Sequence, residues 1–317
     1  MNYQFKNCAE LVTLCKQHKL PISQIAARRE MELFKKSRAN VRNSMKRVRN
    51  VMREAIRKGV RSTSKSTYGL SGGDAAKTFR GLRRMGKLLH SKVAVRAMAY
   101  ALATNEQNAC MERIVAFPTA GGSGVIPGVL FSTAEHMKSS KRRLLNAMFT
   151  ASAIGVAILE HDGTFSAAKA GCQAEVGTAT AMAAAGVTEM RGGTPEQCVN
   201  AAALALKNML GLACDPLGGL VEVPCVKRNA LAAMTAIGAS DLSLLGVESF
   251  VPMDEVLQAM MSIASNMPEG IRETALGGLA VTPTGCALCR KMQGKPPSPP
   301  PSQGGNLSLP KNKNLSL

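Results

Sequence analysis

Apolar residues recur at helical spacing through the basic N-terminal part of the chain. One stripe runs at intervals of three, four and seven positions, and its members are Phe34, Val41, Met45, Val48, Met52 and Ala55. This period predicts an amphipathic helix whose remaining faces are in solvent. Residues 3–60 as a whole favour helices, with a break at Pro21 because proline is not tolerated inside a helix.

Further helices are predicted along the rest of the chain. Residues 75–110 and 140–159 have helical composition. Thr194 and Gln197 enclose Pro195 in the pattern of a capping box, which predicts a helix from there to about residue 210. The last predicted helix has one apolar face, made of Val256, Met260, Ile263 and Met267.

Glycine-rich loops separate these helices. Residues 66–74 contain Gly72-Gly73 and predict a turn-rich loop, and residues 118–128 form a second loop that leads into an apolar run. Sustained alternation of apolar and polar residues is missing, so strands are not predicted. The pattern therefore predicts a mainly α-helical protein with a single helical domain and Gly-rich loops.

Composition adds detail to this picture. Aromatic residues make up 3% of the 317 residues and Trp is absent, so Ala, Leu, Val, Ile and 18 Met must fill the core. Small and flexible side chains favour closely packed helices over a β-sandwich. By composition the chain divides into a basic helical segment, 1–65, a main domain, 66–293, and a Pro-rich tail, 294–317, which is expected to be disordered.

Positive charge is concentrated in one segment. The net charge is +19, and residues 28–65 contribute +11 of it through fourteen Lys or Arg against three acidic residues. Such a segment can bind nucleic acid or an anionic surface. The solvated face of an amphipathic helix explains the same charges, and no aromatic residues are interleaved for bases to stack on. Nucleic-acid binding is therefore the alternative interpretation.

No segment has the pattern of a membrane span or a signal peptide. The most apolar stretch, 147–159, is too short to cross a bilayer and predicts a buried helix. The N-terminus lacks the order of charged and then apolar residues that a signal peptide has. Nine cysteines in such a chain are expected as thiols or metal ligands. We expect a cytoplasmic protein without a membrane partner.

Three cysteines lie beside Gly, Pro and polar residues that are typical of exposed loops. They are Cys172 in AGCQAEVG, Cys214 in ACDPLGG and Cys225 in VPCVKRN, separated by 42 and 11 residues. These separations match no compact zinc or ferredoxin spacing, so spacing alone leaves a metal site and buried thiols both open. A free cysteine is usually a small buried hydrophobic residue. The buried state is the one expected for Cys8, Cys15, Cys110 and Cys198.

The loop at 118–128 departs from known phosphate-binding motifs. Pro127 replaces the third glycine of a dinucleotide-binding fingerprint, and the chain has no P-loop. Backbone N–H groups of a Gly-rich loop before a helix can bind a carboxylate. A tight structural turn explains the same glycines.

Five segments together carry a more specific signal. They are YGLSGGDAAK, ALATNEQNACMERIVAFPTAGGSGVIPGVL, KAGCQAEVGTATAMAAAG, LGLACDPLGGLVEVPCVKRNA and ETALGGLAVTPTG. In this order they resemble the alpha subunit of iron–sulfur-dependent L-serine dehydratases, over roughly residues 5–285. The resemblance implies an L-serine ammonia-lyase that forms pyruvate and ammonia, with a helical catalytic domain around a [4Fe–4S] cluster. A lyase for another hydroxy amino acid, such as threonine, is a second alternative.

The resemblance also implies site residues. Cys172, Cys214 and Cys225 match the cluster ligands of the family, and an iron without a protein ligand would act as a Lewis acid toward the substrate hydroxyl. No pyridoxal phosphate is expected. The PTAGGSG loop is expected to bind the substrate carboxylate and to be assisted by a pocket wall, with a structural turn as the alternative. The residues concerned are Thr119, Gly121, Gly122 and Ser123 in the loop, and Ser71, Asp74 and Asn229 in the wall.

The general base is not visible in the sequence. None of the four histidines lies in a segment to which the resemblance gives a catalytic role, and each is expected at the surface: His18, His90, His136 and His161. In two-subunit members of the family, a beta subunit carries a Ser/His-containing motif near the cluster, and this chain lacks that motif. We therefore expect a beta subunit as partner, with the base supplied in trans.

One cysteine pair lies where the resemblance fades. Cys286 and Cys289 form a CxxC, a pattern that can be a redox or metal site. Because the Pro-rich tail follows directly, this segment is expected to be a poor scaffold for two thiols.

Overall fold

In the computed structural model, which describes residues 3–293, the chain folds into helices joined by loops. The helices are α1 Cys8–His18, α2 Ile22–Leu33, α3 Arg38–Gly59, α4 Asp74–Gly81, α5 Lys92–Ala109, α6 Val125–His136, α7 Lys141–Glu160, α8 Ala167–Cys172, α9 Thr178–Met190, α10 Pro195–Lys207, α11 Cys225–Leu244, α12 Met253–Ser265 and α13 Pro283–Met292. Within these described residues no strand forms, and the β-pairing is a single bridge between Cys214 and Arg272. The prediction of a mainly α-helical protein is confirmed.

More than half of the helices begin at a side chain that caps them. The capping oxygens accept the N–H of the third helical residue and belong to Asn7, Ser37, Ser91, Ser140, Ser166, Thr194 and Thr282. The predicted capping box is complete, since Gln197 N–H donates to Thr194 Oγ1 at 3.2 Å and Thr194 N–H donates to Gln197 Oε1 at 3.0 Å. The helix that it opens ends at Lys207, slightly earlier than predicted.

The core is built around α9. This helix packs against α6, α7, α10 and α11, and every residue in it except Glu189 is buried. A helix that is apolar on nearly all faces is expected at the centre of a helical protein. A Cβ on Gly186 would lie 2.7 Å from the carbonyl oxygen of Ala147, so small residues let α7 and α9 pack closely. Gly155 lies beside Met182, which shows that the two helices run antiparallel.

The N-terminal helices share this core. α2 packs against α7, and α3 packs against α5 and α7. The predicted stripe on α3 is confirmed for Val41 and Met52, which are buried in the same cluster of side chains as α9. Phe34 is the exception, because it follows the end of α2 and is 54% exposed. The division of the chain at residue 65 stays a prediction, and the tail 294–317 lies outside the described residues.

The other predicted helices form with one difference. Residues 75–110 make two helices, α4 and α5, with a 3-10 turn at Met85–Lys87 between them. The apolar stretch 147–159 lies within α7, which is long and apolar enough by length and composition to span a membrane. The most apolar window of α7 is 67% buried inside the protein, in agreement with the predicted buried helix.

Candidate functional site

Three cysteines from separate segments meet inside the protein. Cys172 begins the helical run that continues into α9, Cys225 is the first residue of α11, and Cys214 lies in the loop between α10 and α11. A hydrogen bond joins Cys172 and Cys214, and Cys225 is close enough to act electrostatically on Cys214. The prediction of exposed loops is wrong, because the three residues are 0%, 2% and 3% exposed. Two helix starts and one loop, each with Gly or Pro neighbours, therefore converge in the interior.

Gly171 places Cys172 at the start of a helical run. Its φ of +69° interrupts α8, and side chains other than glycine rarely adopt this region. A Cβ on Gly171 would also lie 2.7 Å from Sδ of Met267 and 2.9 Å from the carbonyl oxygen of Leu212. A π-helical turn, Gln173–Gly177, then connects Cys172 to α9. The glycine before Cys172 is therefore required by both backbone conformation and space.

The loop that carries Cys214 is fixed from two sides. The N–H of Cys214 donates to the carbonyl oxygen of Ile271 at 2.8 Å, and the N–H of Glu273 donates to the carbonyl oxygen of Cys214 at 2.8 Å. On the other side, Arg228 of α11 donates to the carbonyl oxygen that precedes Cys214, at 2.6 Å, and to Asp215 at 3.0 Å. Arg228 lies three residues after Cys225, so one turn of α11 carries both Cys225 and the arginine that fixes the Cys214 loop.

The pKa values of the three thiols depend on their neighbours and on burial. The hydrogen bond from Cys214 is the largest cause that lowers the pKa of Cys172, and the charge of Arg228 acts in the same direction against burial. The hydrogen bond to Cys172 and burial both raise the pKa of Cys214. Burial raises the pKa of Cys225 to about 12. Cys172 is therefore the thiol most disposed to ionise, and the other two are expected to lose their protons when a metal binds.

Asn229 ties the PTAGGSG loop to the helix that begins with Cys225. The loop follows the cis peptide bond Phe117–Pro118 and leads into α6. The Asn229 side chain donates to the carbonyl oxygen of Gly121 at 2.6 Å and accepts from the N–H of Gly124 at 3.0 Å. It also donates to the carbonyl oxygen of Cys225 at 2.9 Å. One buried amide thus sets the loop against the cysteine group.

Asn105 of α5 also holds this loop, and sequence reasoning missed it. Its amide donates to the carbonyl oxygen of Gly121 at 3.2 Å, and its Oδ1 accepts from the hydroxyl of Ser123 at 3.4 Å. Within the loop, Thr119 Oγ1 accepts from the N–H of Gly122 at 3.2 Å. The signal available in the sequence was the polar run TNEQN at the end of an otherwise Ala-rich helix.

Glu175 places a carboxylate directly against the loop and was also missed. A Cβ on Gly121 would lie 2.3 Å from Oε2 of Glu175, so glycine alone leaves room for this carboxylate. Burial raises the pKa of Glu175, and the hydroxyl of Thr119 and the N–H of Gly121 partly oppose that shift. Glu175 follows Cys172 by three residues, a spacing that puts both on one helix face and that would have indicated it.

The SGGD loop is anchored to α5 and α11. The buried carboxylate of Glu106 accepts from the N–H groups of Gly73 at 3.0 Å and Asp74 at 2.8 Å, at the start of α4. Asp74 forms an ion pair with Lys227 of α11 at 2.8 Å. Ser71 is buried, and its hydroxyl has no hydrogen-bond partner among residues 3–293.

The predicted substrate-binding residues thus form two separate hydrogen-bonded units. Thr119, Gly121, Gly122, Ser123 and Asn229 belong to one hydrogen-bonded unit beside Cys225. Ser71 and Asp74 belong to a second unit, which is joined to the first through α5 and α11, the helices that carry Glu106 and Lys227. Among residues 3–293, no hydrogen bond or ion pair links Ser71 or Asp74 directly to the three cysteines.

Four other cysteines behave largely as buried apolar residues. Burial raises the pKa values of Cys8, Cys15 and Cys198, as expected for inert thiols in a core. Cys110 is only half-buried, so the prediction of a buried side chain is wrong there. It lies at the end of α5, where the chain leaves the core.

The CxxC pair has a folded scaffold, contrary to the prediction. Cys286 and Cys289 lie half-buried on α13, which packs against the 3-10 turns Leu217–Gly219 and Gly278–Val281. The hydroxyl of Thr282 caps this helix, so local sequence and packing both stabilise it.

The histidines lie on elements other than those that carry the cysteine group. His90 and His136 are exposed, whereas His18 and His161 are half-buried rather than fully at the surface. They lie at the end of α1, before α5, at the end of α6 and after α7. The structure therefore places none of them on α9, α11 or the Cys214 loop.

The cysteine group supplies the type of donor that an iron–sulfur cluster uses. Among residues 3–293, no three His, Cys, Asp or Glu side chains are arranged to hold one metal ion. Iron–sulfur clusters are held by cysteine thiolates. Three buried thiols that interact with one another, beside an arginine, supply donors of this kind.

The chain belongs to the serine dehydratase alpha chain family, whose model matches residues 17–280. It is 46% identical to a probable L-serine dehydratase alpha chain of Bacillus subtilis, over 92% of this chain and 96% of that protein. It is 39% identical to an L-serine dehydratase alpha chain of Peptoniphilus asaccharolyticus, over 89% of this chain and 96% of that protein. An L-serine dehydratase of Escherichia coli is 33% identical over 88% of this chain but only 62% of its own length.

Proposed function

We propose that this chain is the alpha subunit of an L-serine dehydratase, which converts L-serine to pyruvate and ammonia. The observation that carries the proposal is the convergence of Cys172, Cys214 and Cys225 beside the PTAGGSG loop, in a chain of the serine dehydratase family. Relatives that match this chain along 96% of their own length are named L-serine dehydratase alpha chains. They favour this enzyme over a nucleic-acid-binding protein.

The cysteine group is proposed to hold a [4Fe–4S] cluster. Three thiolates leave one of four irons without a protein ligand, and such an iron supplies a Lewis acid for the substrate hydroxyl. Arg228 favours the thiolate of Cys172 and fixes the Cys214 loop, so this arginine orders the ligands before anything binds. All nine cysteines are free, which suits the reducing cytoplasm that we propose as the location.

The PTAGGSG loop is proposed to bind the substrate carboxylate through Thr119, Gly121, Gly122 and Ser123. The loop opens α6, and the start of a helix offers N–H groups and a favourable dipole to an anion. The interaction of Thr119 and Gly121 with the carboxylate of Glu175 supports this role, because the substrate carries the same group.

Three further residues are proposed around that loop. Asn229 fixes its position, whereas Ser71 and Asp74 belong to the wall of the pocket. The support for Ser71 is its buried hydroxyl, which has no hydrogen-bond partner among the described residues and is available to a ligand.

The general base is proposed to come from a beta subunit. None of the four histidines lies on an element that carries the cysteine group. The chain matches 62% and 63% of the length of two longer L-serine dehydratases from Escherichia coli. We propose that the unmatched third of those proteins corresponds to a separate beta subunit, which this chain takes as its partner.

An anaerobic assay tests the proposal. The purified chain is loaded with iron and sulfide, in the presence and absence of a beta-type subunit. Pyruvate is measured with L-serine as substrate, and 2-oxobutanoate is measured with L-threonine. We expect pyruvate from L-serine, with little turnover until the beta subunit is added. No pyruvate from the complete, iron-loaded complex would contradict the proposed function. Full turnover by this chain alone would contradict the proposed partner and direct attention to Glu175.

A further inference from the structure

A cavity of about 530 Å³ lies between the N-terminal helices and the start of α7. This volume is in the range of small-molecule pockets. Its wall contains one acidic residue, Glu32, and five cationic residues, which are Arg28, Lys36, Arg38, Arg42 and Arg142. Four of these five belong to the basic segment 28–65, whose charges the proposed enzymatic function does not use.

The cationic side chains of the cavity wall are not paired with carboxylates by salt bridges in the described protein. Among residues 3–293, none of these five side chains forms an ion pair. Glu32, the single acid, accepts the N–H of Tyr3 at 3.0 Å. Burial lowers the pKa of Arg42, and the neighbouring charges of Arg38 and Arg142 lower it further. The guanidinium groups of Arg38 and Arg142 therefore repel that of Arg42, and no ion pair with a protein carboxylate offsets these charges.

Two long helices begin at this cavity with an unfavourable charge. Arg38 is the first residue of α3, and Arg142 is the second residue of α7; neither first turn contains an acidic residue. The N-terminus of a helix carries partial positive charge, so cations there are destabilising. Ser37 and Ser140 each cap one N–H, which leaves other first-turn N–H groups available to an anion. Both helices thus place cations where the helix dipole disfavours them, and such unfavourable local features are typical of functional sites.

The cavity is separate from the cysteine group. Ser23, which lines the cavity, donates its N–H to Glu189 near the end of α9 at 3.0 Å. Cys172 lies before the opposite end of α9. The thirteen residues of α9 correspond to roughly 20 Å at the helical rise per residue. A ligand in the cavity is therefore distinct from the substrate at the cysteine group.

We propose that this cavity binds a small phosphate-bearing anion, with the phosphate held by Arg38, Arg42 and Arg142 at the starts of α3 and α7. The planar fork of arginine matches phosphate oxygens, and a phosphate ester carries roughly two negative charges that offset the cationic wall. L-serine has no net charge at neutral pH and does not offset it. Ala27 and Met31 line the same cavity and provide apolar surface for an organic part of the ligand.

Titration calorimetry of the full-length chain with inorganic pyrophosphate, at constant ionic strength, tests this site. We expect one pyrophosphate per chain, and at least about tenfold weaker binding, or ~1.4 kcal/mol, for Arg42→Gln and Arg142→Gln. Arg53→Gln is the matched control, because Arg53 is exposed on α3 and does not line the cavity. Arg142→Lys, which keeps the charge but loses the fork, should bind with intermediate affinity.

Several results would overturn the proposal. One is a lack of pyrophosphate binding at millimolar concentration by wild-type protein. Another is an equal loss of affinity in Arg53→Gln and Arg142→Gln, which would indicate a diffuse basic surface. Tighter binding of duplex DNA than of pyrophosphate, with the same dependence on Arg53, would favour a nucleic-acid surface instead. Circular dichroism of each variant establishes that it is folded. Since the readout is binding rather than serine turnover, failure of the proposed enzymatic function leaves the result interpretable.

Discussion

Asn229 donates a hydrogen bond of 2.6 Å from its side-chain amide to the carbonyl oxygen of Gly121. Asn229 is fully buried one turn into α11, and Gly121 lies in the PTAGGSG loop more than a hundred residues earlier. The same side chain binds the carbonyl oxygen of Cys225 and the N–H of Gly124. The proposed substrate loop and one proposed cluster ligand therefore take their relative position from a single amide.

Replacing Asn229 should remove the hydrogen bonds that fix the PTAGGSG loop relative to Cys225. Asn229→Ala leaves the buried N–H of Gly124 without its partner, which costs about 1–3 kcal/mol of unfolding free energy. We expect serine turnover to fall strongly while bound iron is retained, because no thiol is removed. Denaturant unfolding, iron analysis and pyruvate formation measure the three quantities. Asn43→Ala, at an exposed position of α3, is the control. Wild-type turnover by Asn229→Ala would show that the loop does not need this anchor.

A methyl group at Gly124 should displace the PTAGGSG loop through steric overlap with α5. A Cβ there would lie 2.4 Å from Oδ1 of Asn105 and 2.5 Å from the carbonyl oxygen of Ala101. Since backbone cannot move aside easily, Gly124→Ala should destabilise the protein by roughly 1–3 kcal/mol and lower turnover. Gly238→Ala on α11 meets nothing within 4 Å and should stabilise the protein by roughly 0.5–1 kcal/mol. Equal stability of the two variants would contradict the described packing.

Glu189 should make stability fall as pH rises. Burial raises the pKa of this carboxyl, and Ser23 and Thr150 only partly oppose the shift. The folded protein then binds the proton more tightly than the unfolded chain, so folding loses stability between the ordinary pKa of 4.5 and the raised value. Glu189→Gln removes this dependence, and its unfolding free energy relative to wild type should increase from about pH 4.5 to about pH 7. The exposed Glu248→Gln is the control. A relative stability that does not change with pH would refute the prediction.

Cys286 and Cys289 should be dispensable for iron binding and turnover. Both lie on α13, and the thiol of Cys286 donates to the carbonyl oxygen of Val281 at 3.5 Å. A catalytic metal site keeps one position open, and a permanent fourth thiolate would close it. The Cys286→Ser/Cys289→Ser double variant should keep wild-type iron and activity in an anaerobic assay started without serine. Loss of iron would contradict this prediction, and a shortened lag with faster inactivation in air would indicate a reversible thiol lid.

Local features of the fold were predictable from the sequence. The capping box at Thr194 and Gln197 and the apolar face of Val256 and Met260 depend on neighbours within a few residues, and both are found. Helix composition without β alternation was sufficient for the mainly α-helical class. Phe34 was assigned wrongly because the stripe of α3 was extended across the end of α2, a boundary that depends on packing.

The assembly of the candidate site depends on contacts distant in sequence. Cys214 is held by a bridge to Arg272 and by Arg228 of α11, neither of which its flanking residues reveal. Glycine and proline beside the cysteines favoured exposed loops, but the same residue types also occur where two helix starts and one loop converge in the interior. Asn105 and Glu175 acquire their roles only when α5 and the π-helical turn before α9 meet the loop.

The iron bound by cysteine variants tests the central claim most directly. After anaerobic loading, iron and acid-labile sulfide are measured per chain for Cys172→Ala, Cys214→Ala, Cys225→Ala and the buried control Cys198→Ala. If the first three cysteines hold the cluster, each of those variants should lose most of its iron and its brown absorbance, whereas Cys198→Ala should retain both. Equal iron content in all four variants would contradict the assignment.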